Sequence, residues 1–135
     1  MNANAKQVIR VAVLGSPQAE RWLLVQAFAA TRKRPCSYEL VGDPVSQLPD
    51  LYVIDPDNDY ALARWAVLDA KGSAPAAFFR RVHPRAKCAV IVDRPLTSGR
   101  VVASLDQLAR RFFAVSPEYA DRDAVQAGNL APAIA

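Results

Sequence analysis

Histidine and cysteine are scarce in this chain, with one His and two Cys among 135 residues. Cys36 and Cys88 are far apart, so no metal-ligand spacing and no disulfide framework can be read from them. Free thiols of this kind suit a reducing cytosol. His83 stands beside no Ser or Cys nucleophile pattern. No apolar run is long enough to span a membrane, and Met1-Asn2-Ala3-Asn4-Ala5-Lys6 opens the chain without a signal-peptide core. The expectation is a soluble, cytoplasmic protein with no membrane partner. Glycine is also sparse. The turn Leu14-Gly15-Ser16-Pro17 lacks the further glycines that let a G-x-G-x-x-G loop bring its backbone up to a pyrophosphate.

What is present describes a globular chain. Apolar residues make up 52% and charged ones 22%, enough for one real core and not for two. The domain is expected over 1–115, with 116–135 as a tail or weak extra helix. Net charge is +4, mixed in sign. Arg32-Lys33-Arg34 falls where a helix should end, and cations there complement the carbonyl end of the helix dipole. Neither this cluster nor Arg80-Arg81 is interleaved with aromatics, so no nucleic-acid partner is expected.

Strand and helix patterns alternate along the chain. Val8 to Leu14 is a short β-branched run stopped by Gly15. Ser16-Pro17 reads as a helix start, and Ala19, Leu23, Leu24, Ala27 and Phe28 recur at helical spacing as far as Pro35. Tyr38 to Val41 is a second strand, and Pro44 to Pro49 has room for only a stub of helix. Leu51 to Asp55 is the third strand. Asn58 or Asp59 then caps a helix whose inward face is Leu62, Trp65, Ala66 and Leu68, ending at Gly72. Pro75 to Phe79 and Cys88 to Val92 are the last strands. Thr97 or Ser98 caps a final helix with Val101, Val102, Leu105, Leu108, Phe112 and Phe113 on one face. The fold class that follows is α/β: a doubly wound, mostly parallel five-stranded sheet. Arg80 to Lys87 is short for a parallel crossover, so the fourth helix is reduced or missing, or the last two strands pair antiparallel.

The chemistry gathers at strand ends. Asp55 ends the run Leu51-Tyr52-Val53-Ile54, and Asp57 and Asp59 follow at alternate positions. Arg94-Pro95 closes the last apolar run. An acid at the tip of a middle strand and a cation-Pro step at the tip of the last one resemble the receiver domain of response regulators, over Val8 to about Phe113. The resemblance implies a flavodoxin-like sheet. It also implies that Asp55 stands where the family's phosphoacceptor does, with a cis peptide before Pro95 that brings Arg94 near it.

Phosphoryl transfer relies on charge neutralisation by Mg²⁺ and a cation. The family holds that metal with an acidic pair just after the first strand, and here the place reads Gly15-Ser16-Pro17-Gln18. The family's hydroxyl after the fourth strand is replaced by Arg80-Arg81, and its lysine by Arg94, a cation of different reach. The chain is therefore read as a degenerate receiver, without catalysis and without a cofactor. Its vestigial site is Asp55, Arg94 and Pro95, with Asp57 and Asp59 as nearby acids. It is expected to act through a signalling protein partner or as a homodimer in two-component-type signal transduction. Val101, Val102 and Phe113 are the expected interaction surface.

Two alternatives stay open. One is a working receiver phosphorylated on Asp55, with Mg²⁺ held by Asp57 or another acid. The other is a small phosphohydrolase, because Asp55-Pro56-Asp57 resembles the nucleophile motif of haloacid-dehalogenase-type enzymes. The same acids imitate a calcium loop, but Tyr60 and Ala66 occupy the places of its Gly and its bidentate Glu.

Overall fold

A computed structural model describes residues 6–42 and 47–114. Five strands, β1 (Gln7–Leu14), β2 (Cys36–Leu40), β3 (Leu51–Ile54), β4 (Ala76–Phe79) and β5 (Ala89–Val92), form one sheet of order β2-β1-β3-β4-β5. Every neighbouring pair is parallel, β4 and β5 included. That is the doubly wound, flavodoxin-like order, and it removes the antiparallel alternative for the last strand. The helices are α1 (Gln18–Ala29), α2 (Asp59–Leu68) and α3 (Ser98–Leu108), and α3 runs on into a π-helical turn, Ala109–Phe113. The expected tail, 116–135, and residues 44–46 of the expected stub at 44–49 lie outside the described residues.

Alternating side chains along each strand build two cores. On one face Ile9, Val11, Val13, Val53, Phe79 and Val92 pack beneath α1 and α3, against Leu24, Phe28, Leu105 and Leu108. On the other face Ala12, Leu14, Tyr52, Ile54 and Phe78 meet α2, through Ala61 and Trp65. Ala66, expected to face inward, is exposed, because the buried face of α2 runs through Ala61 and Trp65 one position earlier. Gly15 lets α2 come this close. It has φ +91°, and a Cβ there would lie 2.9 Å from Ala61 Cβ.

No helix joins β4 to β5 among residues 80–88. The loop instead folds over Trp65. The Arg85 guanidinium lies 4.1 Å from the centre of the indole, and the His83 ring meets it edge-on with centroids 5.5 Å apart. Hydrogen bonds to the backbone pin the loop as well: Lys87 N donates to Gly72 O (3.1 Å), and the Arg85 side chain donates through Nη1 to Ala70 O (2.8 Å). A single aromatic platform thus does the covering that a fourth helix does elsewhere.

Caps fix the helix starts. Asn58 Oδ1 accepts from Ala61 N at 2.9 Å, and Thr97 Oγ1 accepts from Arg100 N at 3.1 Å. The expected cap by Ser16 does not form. Pro17 occupies the capping position of α1 in an extended conformation, one residue later than expected, and Ser16 Oγ is buried without a hydrogen-bond partner.

Candidate functional site

The parallel sheet brings the C-terminal tips of β1, β3, β4 and β5 to one edge, where open α/β sheets carry their sites. Asp55 directly follows β3, and its backbone N donates to Leu14 O at 3.1 Å, tying the tips of β3 and β1 together. Its carboxylate has two contacts. Oδ1 accepts from Asp57 N at 2.9 Å, a local turn bond, and Oδ2 accepts from Arg94 Nη2 at 3.2 Å. The Arg94-Pro95 peptide is cis.

Arg94 makes its stronger grip elsewhere. Its Nε donates to Glu20 Oε2 at 2.7 Å and its Nη2 to Glu20 Oε1 at 2.9 Å, a two-toothed clamp on the first turn of α1. The guanidinium also lies 4.2 Å from the centre of the Phe79 ring at the end of β4. The hydrogen bond to Glu20 above all, and then that to Asp55, raise the Arg94 pKa further while burial opposes them, so this cation is permanent. Glu20, Leu23, Arg94 and Pro95 line a groove of about 570 Å³ with Ala19 and Leu96.

The second acid is engaged separately. Asp57 forms ion pairs with Arg81 Nη1 and, at 3.4 Å, with Arg80 Nη1. The hydrogen bond from Arg81, with the nearby guanidinium charges, holds its carboxyl below the usual carboxylate range. Arg80 reaches this position with φ +72°, a left-handed conformation uncommon for a residue with a side chain. Asp59 begins α2 and makes no contact with this cluster; it sits in the first turn, where a negative charge suits the helix dipole.

The structure thus brings Asp55 and Arg94 together, places Asp57 with Arg80 and Arg81, and leaves Asp59 outside. The expected surface of Val101, Val102 and Phe113 needs correcting. Val101 is buried, and Val102 and Phe113 pack against the core beneath α1 and α3. The apolar face of α3 is consumed by that core, and Phe112 is the aromatic that stays exposed. Glu20 was missed by sequence reasoning. Its only signal was an acid in the first turn of α1, just after the tip of β1.

The carboxylates do not fit a magnesium site. Mg²⁺ asks for several hard oxygens in octahedral array. Both Glu20 oxygens serve Arg94, and Asp57 is taken by two arginines. Among the described residues, no three His, Cys, Asp or Glu side chains come together in a way that could hold a metal.

No family model matches the chain, and no curated protein matches it. Among solved structures, one described as the yeast Spc42 trimeric coiled coil, amino acids 181–211, fused to another structure, is similar at a TM-score of 0.57. The match has 10% identity and covers 93% of this chain and 87% of that one. At that identity the likeness speaks of fold alone.

Proposed function

We propose that this protein is a pseudo-receiver, a non-catalytic protein-interaction module of signal transduction whose former phosphoacceptor site is held in one state. One observation carries the reading: Arg94 bridges Asp55 and Glu20. An ion pair with a permanent cation supplies Asp55 with the charge compensation that a metal supplies in a working receiver. Glu20, the acid best placed near the tip of β1, is itself consumed by the same cation. The phosphohydrolase alternative is weakened because Asp57, which would have to exchange a proton, is paired with Arg81 and Arg80.

The test is incubation with Mg²⁺ and acetyl phosphate, followed by intact-mass measurement, with beryllofluoride as an unreactive analogue. The expected result is no added phosphate, and no beryllofluoride-dependent change in the emission of Trp65 on α2. Mg²⁺-dependent, acid-labile phosphate on Asp55 would instead identify a working receiver. Turnover of a chromogenic phosphate ester, lost in Asp55→Asn, would identify a hydrolase.

A further inference from the structure

Among the described residues the sheet ends at β5, and the side of this strand away from β4 carries no further strand. Ala76 N donates to Cys88 O at 3.0 Å, and Arg80 N donates to Val92 O at 3.4 Å, so the even-numbered residues serve β4. Ala89 and Ile91 therefore turn their N–H and C=O groups outward, and neither forms a turn or loop bond among the described residues. Such a row of backbone groups is a template for another strand.

The side chains define which strand fits. Cys88 packs toward the core under α1 and α3, and Ala89 toward the core under α2. The alternation therefore puts 87, 89, 91 and 93 on the α2 side. Past α2 and the loop over Trp65 no helix among the described residues covers that side, and Ile91 is 46% exposed. Lys87 and Asp93 are exposed and pair with no other described side chain.

We propose that a second copy of this chain adds to β5 in antiparallel fashion, about a two-fold axis through Val90. Ala89 then lies opposite Ile91 of the second copy, twice over. These are the residues with outward backbone groups, so each such pair exchanges both of its hydrogen bonds. At the next outward-facing position Lys87 lies opposite Asp93 of the second copy, again twice. A two-fold contact is self-complementary, and it requires opposite charges at equal distances on either side of the axis. Lys87 and Asp93 meet that requirement about Val90. A device that merely protects the edge needs charge but not this symmetry, and like charges would repel a second copy more effectively.

The paired segment is short and buries less than the roughly 1,600 Å² of a standard interface, so the dimer is expected to form at high concentration and to come apart on dilution. This proposal rests on the sheet edge, not on the pseudo-receiver reading, and either can fail without the other.

Sedimentation equilibrium of the full chain over a dilution series tests it. A reversible monomer–dimer equilibrium is expected. Lys87→Glu and Asp93→Lys should each weaken it about tenfold by setting like charges opposite one another twice. The doubly reversed protein should recover to near the original affinity, and circular dichroism should show the same fold throughout. Ile91→Lys should weaken association without a matching rescue. A chain that stays monomeric at every concentration would overturn the proposal, as would single reversals without effect or a double reversal without rescue. Species that keep growing past the dimer would also overturn it, since they would mean an open arrangement, such as β5 on β2, and not a two-fold pair.

Discussion

Arg34 and Arg94 are each gripped by a carboxylate through two nitrogens, and they lie at opposite ends of the parallel strands. Arg34 precedes β2. Its Nη2 donates to Asp106 Oδ1 at 2.6 Å and its Nη1 to Asp106 Oδ2 at 3.2 Å, while Tyr38 Oη also donates to Oδ1 at 2.6 Å. Asp106 is 6% exposed, so the cluster welds α3 to the entry of β2 inside the structure. Burial pulls the Arg34 pKa down, but the hydrogen bond and charge of Asp106 more than offset it, and the same burial drives the Tyr38 hydroxyl far up. Arg94 follows β5 at the other end and is more open to water, with 30% of its side chain exposed. The chemistry of the two clamps is alike, and position separates their roles. The first closes off the base of the fold, and the second occupies the edge where such sheets hold their sites. A bidentate arginine pair is therefore no functional signal until its place in the sheet is known.

The sharpest way to separate the two clamps is to cut the inner one. Asp106→Ala strands a partly buried guanidinium and leaves the buried Tyr38 hydroxyl without its acceptor, so a loss of about 3 kcal/mol is expected in urea unfolding. Alkaline pH should probe the same cluster next. The Cys36 carbonyl accepts from Arg34 Nε, and burial pushes the Cys36 thiol up to about 11. The unfolded thiol ionises first, so the protection is complete below pH 9 and is lost as pH rises through 11. The difference between wild type and Cys36→Ala should change by on the order of 2 kcal/mol across that window.

Cutting the outer clamp should do less. Glu20→Gln is expected to cost about 1 kcal/mol, because Arg94 keeps Asp55, Phe79 and partial access to water. The smallest effect should come from Asp57→Ala, whose pairing with Arg81 and Arg80 is a surface one, with a melting temperature inside the scatter of wild type. Whatever Asp57 contributes is present at neutral pH. It is lost as pH falls below the ordinary carboxylate range, since its pKa is held down in the folded chain.

Much of the fold was legible because its signals are local. Short apolar runs, most of them with a Gly or Pro soon after, and the caps at Asn58 and Thr97 mark strands and helix starts with no knowledge of the rest. The short span between Phe79 and Cys88 also announced the missing helix. It could not announce how the loop joining two parallel strands would be covered, because its His83 and Arg85 pack on Trp65, a residue of another element. The site was half legible. Asp55 and Arg94 stand at strand tips, where the pattern points to them. Glu20 lies on a helix face, and nothing in the sequence shows which strand tip that face will meet. Val101, Val102 and Phe113 misled for the complementary reason: an apolar helix stripe looks the same whether it covers a core or awaits a partner.

The loop over Trp65 has a consequence for how the chain finds its fold. Ala76 meets Ala89 across a short stretch of chain, whereas Val11 must wait for Leu51. Less freedom is lost in joining nearby segments, so β4, its loop and β5 can pair before the centre of the sheet is complete. The entropy of ring closure grows slowly with length, about 0.6 kcal/mol for each doubling. A chain of this design could thus accept a full helix between β4 and β5 at little cost in loop-closure entropy. What such an insertion would disturb is the stack of Arg85 and His83 on Trp65.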